Sequence, residues 1–340
     1  EDGRMRPVIT LKLRTDDGIE GLGITFYGGK LSGSLKVAVE ELSELVIGED
    51  PMRVEVIAEK LHAAAGLQCG PHGIFTLAIS AIDIALWDII GKAAGQPLWK
   101  LLGGHRDRVP TYASGSLRRG LGHDQAAEAA HTLVEKGFRA MKTQMALPGN
   151  PTPADELKRV QVVRDAIGPD IDLMCDINQR WRPEQAIDIG KRAEDVNLFW
   201  IEDVTTADDY AGLARVTAAL KTPVAGGEYL WGIAPFRHMI EARSVDIVMV
   251  DMVRVGGVTQ WMKVAGMAEA FNLPIVSHVM PEILIHVVAA CPNGLTVEYM
   301  PWMLKMFEET PALVDGDLIL PDKPGLGLAF DEDVIARYRV

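Results

Sequence analysis

Asp176, Glu202 and Glu228 stand 26 residues apart at each step, and each closes a short apolar run: IDLMCD, LFWIED and TPVAGGE. A step of that size is one strand plus one helix of a β/α barrel, in which the carboxyl ends of successive strands share one rim. Carboxylates carried on three successive strand ends would converge on a single point. Three anions that close repel one another unless a cation sits between them, and hard carboxylate oxygens suit Mg²⁺, with Mn²⁺ as a substitute. The spacing therefore constrains the fold and the chemistry together, toward a metal-dependent barrel.

The rest of the chain fits that frame. From Val109 onward, apolar runs near VPTYAS, RAMKTQ, DLMCD, LFWIED, PVAGGE, DIVMVD, PIVSH and LTVEY alternate with amphipathic segments near 125–136, 152–167, 183–195, 207–220, 233–243, 257–271 and 283–291. Strict alternation implies a parallel sheet with helical crossovers, and eight strands in about 200 residues close better than they lie open. Before this region, PVITLKLRTDDGIEGLGIT alternates apolar and polar residues about a turn at Asp16-Asp17-Gly18 and reads as a hairpin. Helices are expected near 34–45, 53–65 and, as LAISAIDIALWDIIGKAAG, up to Gly95. The expected organisation is α/β: an α+β capping domain over 1–104, a TIM-type barrel over 105–306, and a tail over 307–340 that returns to the capping domain.

The net charge of −13 argues against nucleic acid or an anionic membrane as partner. Asp83 and Asp88 interrupt the longest apolar run, which argues against a membrane span. Cys69, Cys175 and Cys291 are scattered without zinc or disulfide spacing, and the opening EDGRMRPVITLKLR has no long apolar stretch. A reducing, cytoplasmic setting is expected.

Read in order, the strand ends deliver Lys142 and Gln144, Asp176 and Asn178, Glu202 and Asp203, Glu228, Asp251, His278 and Glu298. Any one acidic residue at a barrel rim is more often a helix cap than a catalyst. A polar or ionisable group on nearly every strand end is harder to explain that way.

Several segments resemble the enolase superfamily in its mandelate racemase subgroup, over nearly the whole chain. AISAIDIALWDIIGKAAGQPLWKLLGG is similar to the segment that enters that family's barrel, and RAMKTQ to its Lys-x-Lys strand end. CDINQRW, WIED and GGE are similar to its metal-ligand motifs. DIVMVDMVRVGGVTQW, PIVSH and VEY are similar to its Asp/His dyad and eighth-strand Glu. The resemblance implies a modified (β/α)7β barrel and a Mg²⁺ ion on Asp176, Glu202 and Glu228, which stabilises the enediolate formed when a proton leaves the carbon α to a carboxylate. It makes His278 the base and Asp251 its hydrogen-bond partner. Lys142 is expected to contact the substrate carboxylate, and Glu298, protonated or sharing a proton, to assist the developing enolate. Asn178 is expected near metal-bound water or substrate, with Arg180 and Trp181 as further substrate contacts. The resemblance also implies a homo-oligomer, dimer or octamer.

The pattern departs from the family in two places. Gln144 stands where a second lysine acts as base on the opposite face of the substrate. A carboxamide cannot take a proton, so one-base chemistry is expected: loss of the α-proton, then of the β-hydroxyl, dehydrating an acid sugar to a 2-keto-3-deoxy acid. The alternatives are a racemase, epimerase or cycloisomerase of a carboxylic acid, or a metal-binding barrel without catalysis. Family members also carry a strand and specificity loop ahead of the hairpin. The sequence is expected to omit that segment rather than the protein to lack it. TFYGGKLSG then offers a lid, with Tyr27 and Lys30 as candidate substrate contacts.

Overall fold

A computed structural model describes residues 7–27 and 30–339. Strands β1 (Val8–Arg14) and β2 (Glu20–Phe26) form the expected antiparallel hairpin. Helices α1 (Ser32–Glu44), α2 (Val54–Cys69), α3 (Gly73–Ala93) and the short α4 (Leu98–Leu101) follow. A Cβ at Gly21 would meet the carbonyl oxygen of Ala85, and one at Gly23 that of Ala81, each at 2.1 Å. Only glycine lets β2 lie directly on the backbone of α3.

By length and composition α3 could cross a membrane, contrary to the sequence expectation, but it is mostly buried inside the protein. Its two aspartates explain why an apolar helix carries charge. Asp83 accepts the backbone N–H of Thr259 at 3.0 Å and its hydroxyl at 2.5 Å. Asp88 accepts the Leu22 and Leu326 N–H groups at 2.9 and 2.8 Å and the Lys92 ammonium at 2.7 Å. Buried carboxylates with this many donors act as cross-links between elements. Asp88 ties the hairpin, α3 and the C-terminal tail together.

Eight parallel strands follow: β3 (Arg108–Leu117), β4 (Ala140–Gln144), β5 (Asp172–Asp176), β6 (Trp200–Glu202), β7 (Val224–Gly226), β8 (Ile247–Asp251), β9 (Ile275–His278) and β10 (Val297–Tyr299). They pair in sequence order from β3 to β9, and β10 pairs with β3. The residues leading into β10 close the ring on β9: Ile275 N–H donates to Asn293 O and Leu295 N–H to Ile275 O, both at 2.9 Å. Helices α5 (His123–Glu135), α6 (Pro153–Ile167), α7 (Pro183–Arg192), α8 (Tyr210–Ala219), α9 (Ala234–Glu241), α10 (Met252–Val255) with α11 (Val258–Ala270), and α12 (Pro281–Ala290) occupy the crossovers. Seven strand–helix units and a final strand make the (β/α)7β form. Tyr112, Met174, Trp200, Ala225, Ile247, Met249 and Val276, from β3 and from β5 through β9, fill the barrel interior.

The tail divides its contacts. Strand β11 (Leu313–Val314) pairs with β12 (Asp317–Ile319), which adds antiparallel to the start of β3, so this stretch belongs to the barrel. Farther on, Leu98 N–H donates to Gly325 O at 2.8 Å, and Lys12 on β1 pairs with Glu332 of helix α13 (Glu332–Tyr338) at 2.5 Å, on the capping side.

Candidate active site

A cavity of about 160 Å³ opens at the carboxyl ends of the barrel strands. Its wall includes Lys142, Gln144, Asp176, Asn178, Glu228, His278 and Glu298, brought together from β4, β5, β9, β10 and the loops after β5 and β7. Glu202 and Asp251 lie buried immediately behind it. The turns that aim these groups are strained. Asn178, Gln179, Asp203, Val279 and Met280 all have φ between 44 and 64°. A β-branched residue such as Val279 is rarely found there, and strain of this kind persists where the surrounding structure overdetermines it. Glu228 does not close its strand as expected. It stands two residues past β7, carried by Gly227 at φ 124°, where a Cβ would fall 2.6 Å from Met249 O.

Asp176, Glu202 and Asp203 each offer an oxygen within 4.8 Å of the others. Burial, and after it the crowding of anions, pushes Asp176 up to about 6 and Glu202 up to about 8 against the pull of Lys142. Asp203 is driven well above the carboxylate range by burial and then by Glu228, and its Oδ2 is buried without a partner among the described residues. Buried all-oxygen donors that repel and are incompletely paired fit a hard divalent cation such as Mg²⁺. Glu228 lines the cavity, with Oε2 3.2 Å from His278 Nε2, whereas Asp203 is buried outside that lining, with Oδ1 beside Gly226.

His278 Nδ1 lies 2.5 Å from Asp251 Oδ2. The other Asp251 oxygen accepts the N–H groups of Val253 and Arg254 at 3.0 and 2.8 Å, so the same carboxylate also caps α10. Burial holds His278 down, but Glu228 and then Asp251 outweigh it and raise the imidazole to about 9.

Lys142 Nζ sits between two carboxylates, 2.5 Å from Glu202 Oε1 and 3.0 Å from Glu298 Oε1, and over the Tyr112 ring. Burial lowers its pKa, yet Glu202 and Glu298 more than compensate, so the group is a fixed ammonium. Trp200, stacked edge-on against Tyr112, donates its indole N–H to Glu202 Oε2 at 2.9 Å. The family resemblance has Glu298 protonated or sharing a proton with the substrate side of the site. Burial pushes it up, but Lys142 and His278 hold it at about 2 and Val279 N–H donates to it at 2.6 Å. Its Oε1, 3.0 Å from Lys142 Nζ, anchors that ammonium.

Asn178 is a junction. Its backbone and side-chain N–H groups donate to the two oxygens of Asp176 at 2.7 and 2.6 Å. Its Oδ1 accepts from Gln144 Nε2 at 3.3 Å and from Arg119 Nη2. Arg119 is absent from the sequence reading, because two arginines after a strand carry no spacing signal. Its backbone N–H also donates to Gln144 Oε1 at 3.3 Å. The remaining candidates lie apart from the cavity wall: Arg180 and Lys30 are exposed, Trp181 is buried in the core, and Tyr27 packs against the core. Gly28 and Gly29, the centre of the expected lid, lie outside the described residues.

Two family models cover the chain. "Mandelate racemase / muconate lactonizing enzyme, N-terminal domain" matches residues 4–103, and "Enolase C-terminal domain-like" matches 125–334. The chain is 35% identical to L-talarate/galactarate dehydratase of Salmonella typhimurium over 337 residues, covering 97% of this chain and 83% of that protein. It superposes with TM-score 0.90 and 34% identity on the crystal structure of L-talarate dehydratase from Polaromonas sp. JS666 complexed with Mg and L-glucarate, covering 97% of this chain and 91% of that one. A racemase from Streptomyces coelicolor with bound magnesium superposes at TM-score 0.93 and 32% identity, covering 98% and 92%.

Proposed function

The chain belongs to the mandelate racemase / muconate lactonizing enzyme family of the enolase superfamily, and from that premise we propose that it is a Mg²⁺-dependent acid sugar dehydratase with His278 as its only base. The observation that carries the reading is Gln144. It lines the cavity where a second base would stand, and its amide is spent on Asn178 and on the Arg119 N–H. No proton acceptor opposes His278 there, which disfavours racemisation through two bases.

Asp176, Glu202 and Glu228 are the residues that hold Mg²⁺ in this reading. Glu228 is preferred to Asp203 because it lines the cavity, beside His278, and Asp203 does not. The ion supplies positive charge at the substrate carboxylate, which makes the adjacent carbon acidic enough to lose a proton. Lys142, a permanent cation, receives the same carboxylate, and Glu298 fixes Lys142. His278 removes the α-proton through Nε2 while Asp251 holds Nδ1 and sets the tautomer. Glu228 is the anion that contributes most to the raised pKa of His278, and a cation held by Glu228 would offset it and favour the neutral imidazole that can accept a proton. The C–H electron pair forms the double bond to the β-carbon as the C–O bond breaks. The departing hydroxyl takes the proton from His278, water leaves, and the enol becomes the keto acid. Both protonic steps occur on one face, so elimination is syn.

The same reading keeps 1–104 as the capping domain, 105–306 as the barrel and 307–340 as the tail. It gives the chain small-molecule carboxylate substrates, a cytoplasmic setting and a homo-oligomeric state, dimer or octamer, with no nucleic acid or membrane as partner. Incubating the protein with Mg²⁺ and a library of acid sugars, with semicarbazide to trap the product, tests the central claim. Keto-acid formation is expected; deuterium exchange or isomer formation in D₂O without keto acid would replace dehydratase by epimerase.

A further inference from the structure

We propose that Arg254 is a positioning residue that locks the metal ligand Glu228 and the base His278 into one frame, so that ion and proton acceptor keep a fixed separation. This rests on the metal and base assignments of the dehydratase reading and adds to them a residue outside the cavity lining.

Glu228 stands where the sheet does not hold it. The pairing of β7 with β8 ends at Gly226, and Glu228 follows Gly227 at φ 124°. Arg254, in α10, reaches across this gap, and its Nη1 donates to the Glu228 carbonyl oxygen at 2.7 Å. The two segments are joined again where Gly232 N–H donates to Arg254 O at 3.1 Å. The guanidinium also lies over the Tyr229 ring, with Cζ 5.2 Å from its centre. Tyr229 Oη accepts from Asn178 Nδ2 at 3.4 Å, and the same amide donates to Asp176 Oδ2 at 2.6 Å. One guanidinium thus braces the backbone of one proposed ligand directly and the side chain of another through two contacts.

The same Nη1 faces the dyad. It lies 3.7 Å from Asp251 Oδ2, the oxygen that His278 Nδ1 approaches at 2.5 Å. Arg254 also gives its backbone N–H to the other Asp251 oxygen at 2.8 Å. With His278 Nε2 3.2 Å from Glu228 Oε2, the contacts close a ring that runs from Glu228 to His278, Asp251, Arg254 and back to Glu228. A carboxylate as buried as Asp251 is costly without a counter-charge. A guanidinium keeps its charge at every working pH, so Asp251 has a cation beside it whatever the state of the imidazole. Withdrawing Arg254 would free the Glu228 carbonyl and one flank of Asp251 together. A displacement of about 1 Å in such a site can cost about 100-fold in rate, and the ring supplies that precision.

The test uses the full chain, first without and then with Mg²⁺. Arg254→Met keeps an apolar stem against Tyr229 and removes the charge and the donors. Calorimetry of Mg²⁺ binding to the metal-free variant should show an affinity about 10-fold weaker than wild type. The Mg²⁺-loaded variant should lose about 10-fold or more in kcat, with a smaller change in KM. Arg254→Lys, with the charge but a single donor point, should fall between. In an Asp251→Asn background, Arg254→Met should cost less than about 3-fold more in kcat, because both act on one dyad, yet weaken Mg²⁺ binding as before, because that effect runs through Glu228. Affinity and kcat both within about 2-fold of wild type in Arg254→Met, or losses in kcat that multiply in full with Asp251→Asn, would overturn the assignment. Should Arg254→Met fail to fold, as read by urea denaturation, wild-type affinity and kcat in Arg254→Lys would overturn it as well. Mg²⁺ binding unchanged in Glu228→Gln would instead remove the metal assignment on which the proposal rests.

Discussion

His278 and Asp251 are joined at 2.5 Å through Nδ1 and Oδ2, and two backbone N–H groups on Oδ1 prevent the carboxylate from turning away. The bond leaves Nε2 to the cavity and selects the tautomer that can accept a proton. Asp251→Asn keeps the cap acceptor but presents the wrong group to Nδ1. It should lower kcat by about 10² to 10⁴, the range seen when a carboxylate partner of a catalytic imidazole is neutralised. His278→Asn should abolish turnover. Mg²⁺ affinity, read by calorimetry, should stay within a few-fold of wild type in both. Turnover of His278→Asn at a tenth of wild type or more would remove His278 from the role of base.

The metal reading separates Glu228 from Asp203. Chelation should abolish keto-acid formation, and Mg²⁺ or Mn²⁺ should restore it. Glu228→Gln should weaken Mg²⁺ binding by about 10- to 100-fold and Asp203→Asn much less, because Glu228 lines the cavity and Asp203 lies outside its lining. The reverse order would shift the third ligand to the cluster of Asp176, Glu202 and Asp203.

Gln144 holds Asn178 and through it Asp176, without taking part in proton transfer. Gln144→Ala is expected to cost no more than about 10-fold in kcat/KM, the size of a lost neutral hydrogen bond. A loss as deep as that of His278→Asn, measured under the same conditions, would give Gln144 a direct part in the chemistry.

Much of this site was legible in the sequence because a parallel barrel converts spacing into position. Strand ends separated by one β/α step must share a rim, so Asp176 and Glu202 could be placed from the 26-residue step, and Asp251 and His278 from the ends of their apolar runs. Other features depend on contacts between segments and leave no period. Glu228 overshoots its strand by two residues because Gly227 bends there. The Glu298 pKa is lowered, against burial, because Lys142 lies 3.0 Å away. Arg119 matters only because Asn178 and Gln144 meet it. The long apolar helix was read from its interruptions, yet Asp83 and Asp88 are there to bind Thr259, Leu22, Lys92 and Leu326 across the fold.

Glu282, in the first turn of α12, is buried with neither side-chain oxygen partnered among the described residues, and burial pushes its carboxyl up to about 7 from an ordinary value of 4.5. Between those values the folded protein holds a proton that the unfolded chain has released. Stability from this group is therefore complete below about pH 4.5 and is lost as the pH rises through 7. The difference corresponds to roughly 3 kcal/mol at pH 8, as an order of magnitude. Glu282→Gln cannot ionise and should match wild type near pH 5 but exceed it in stability by a margin that grows to about pH 8. Urea denaturation of both proteins across that range measures the margin. A pH-independent difference would mean that a donor stabilises the Glu282 carboxylate in the folded protein.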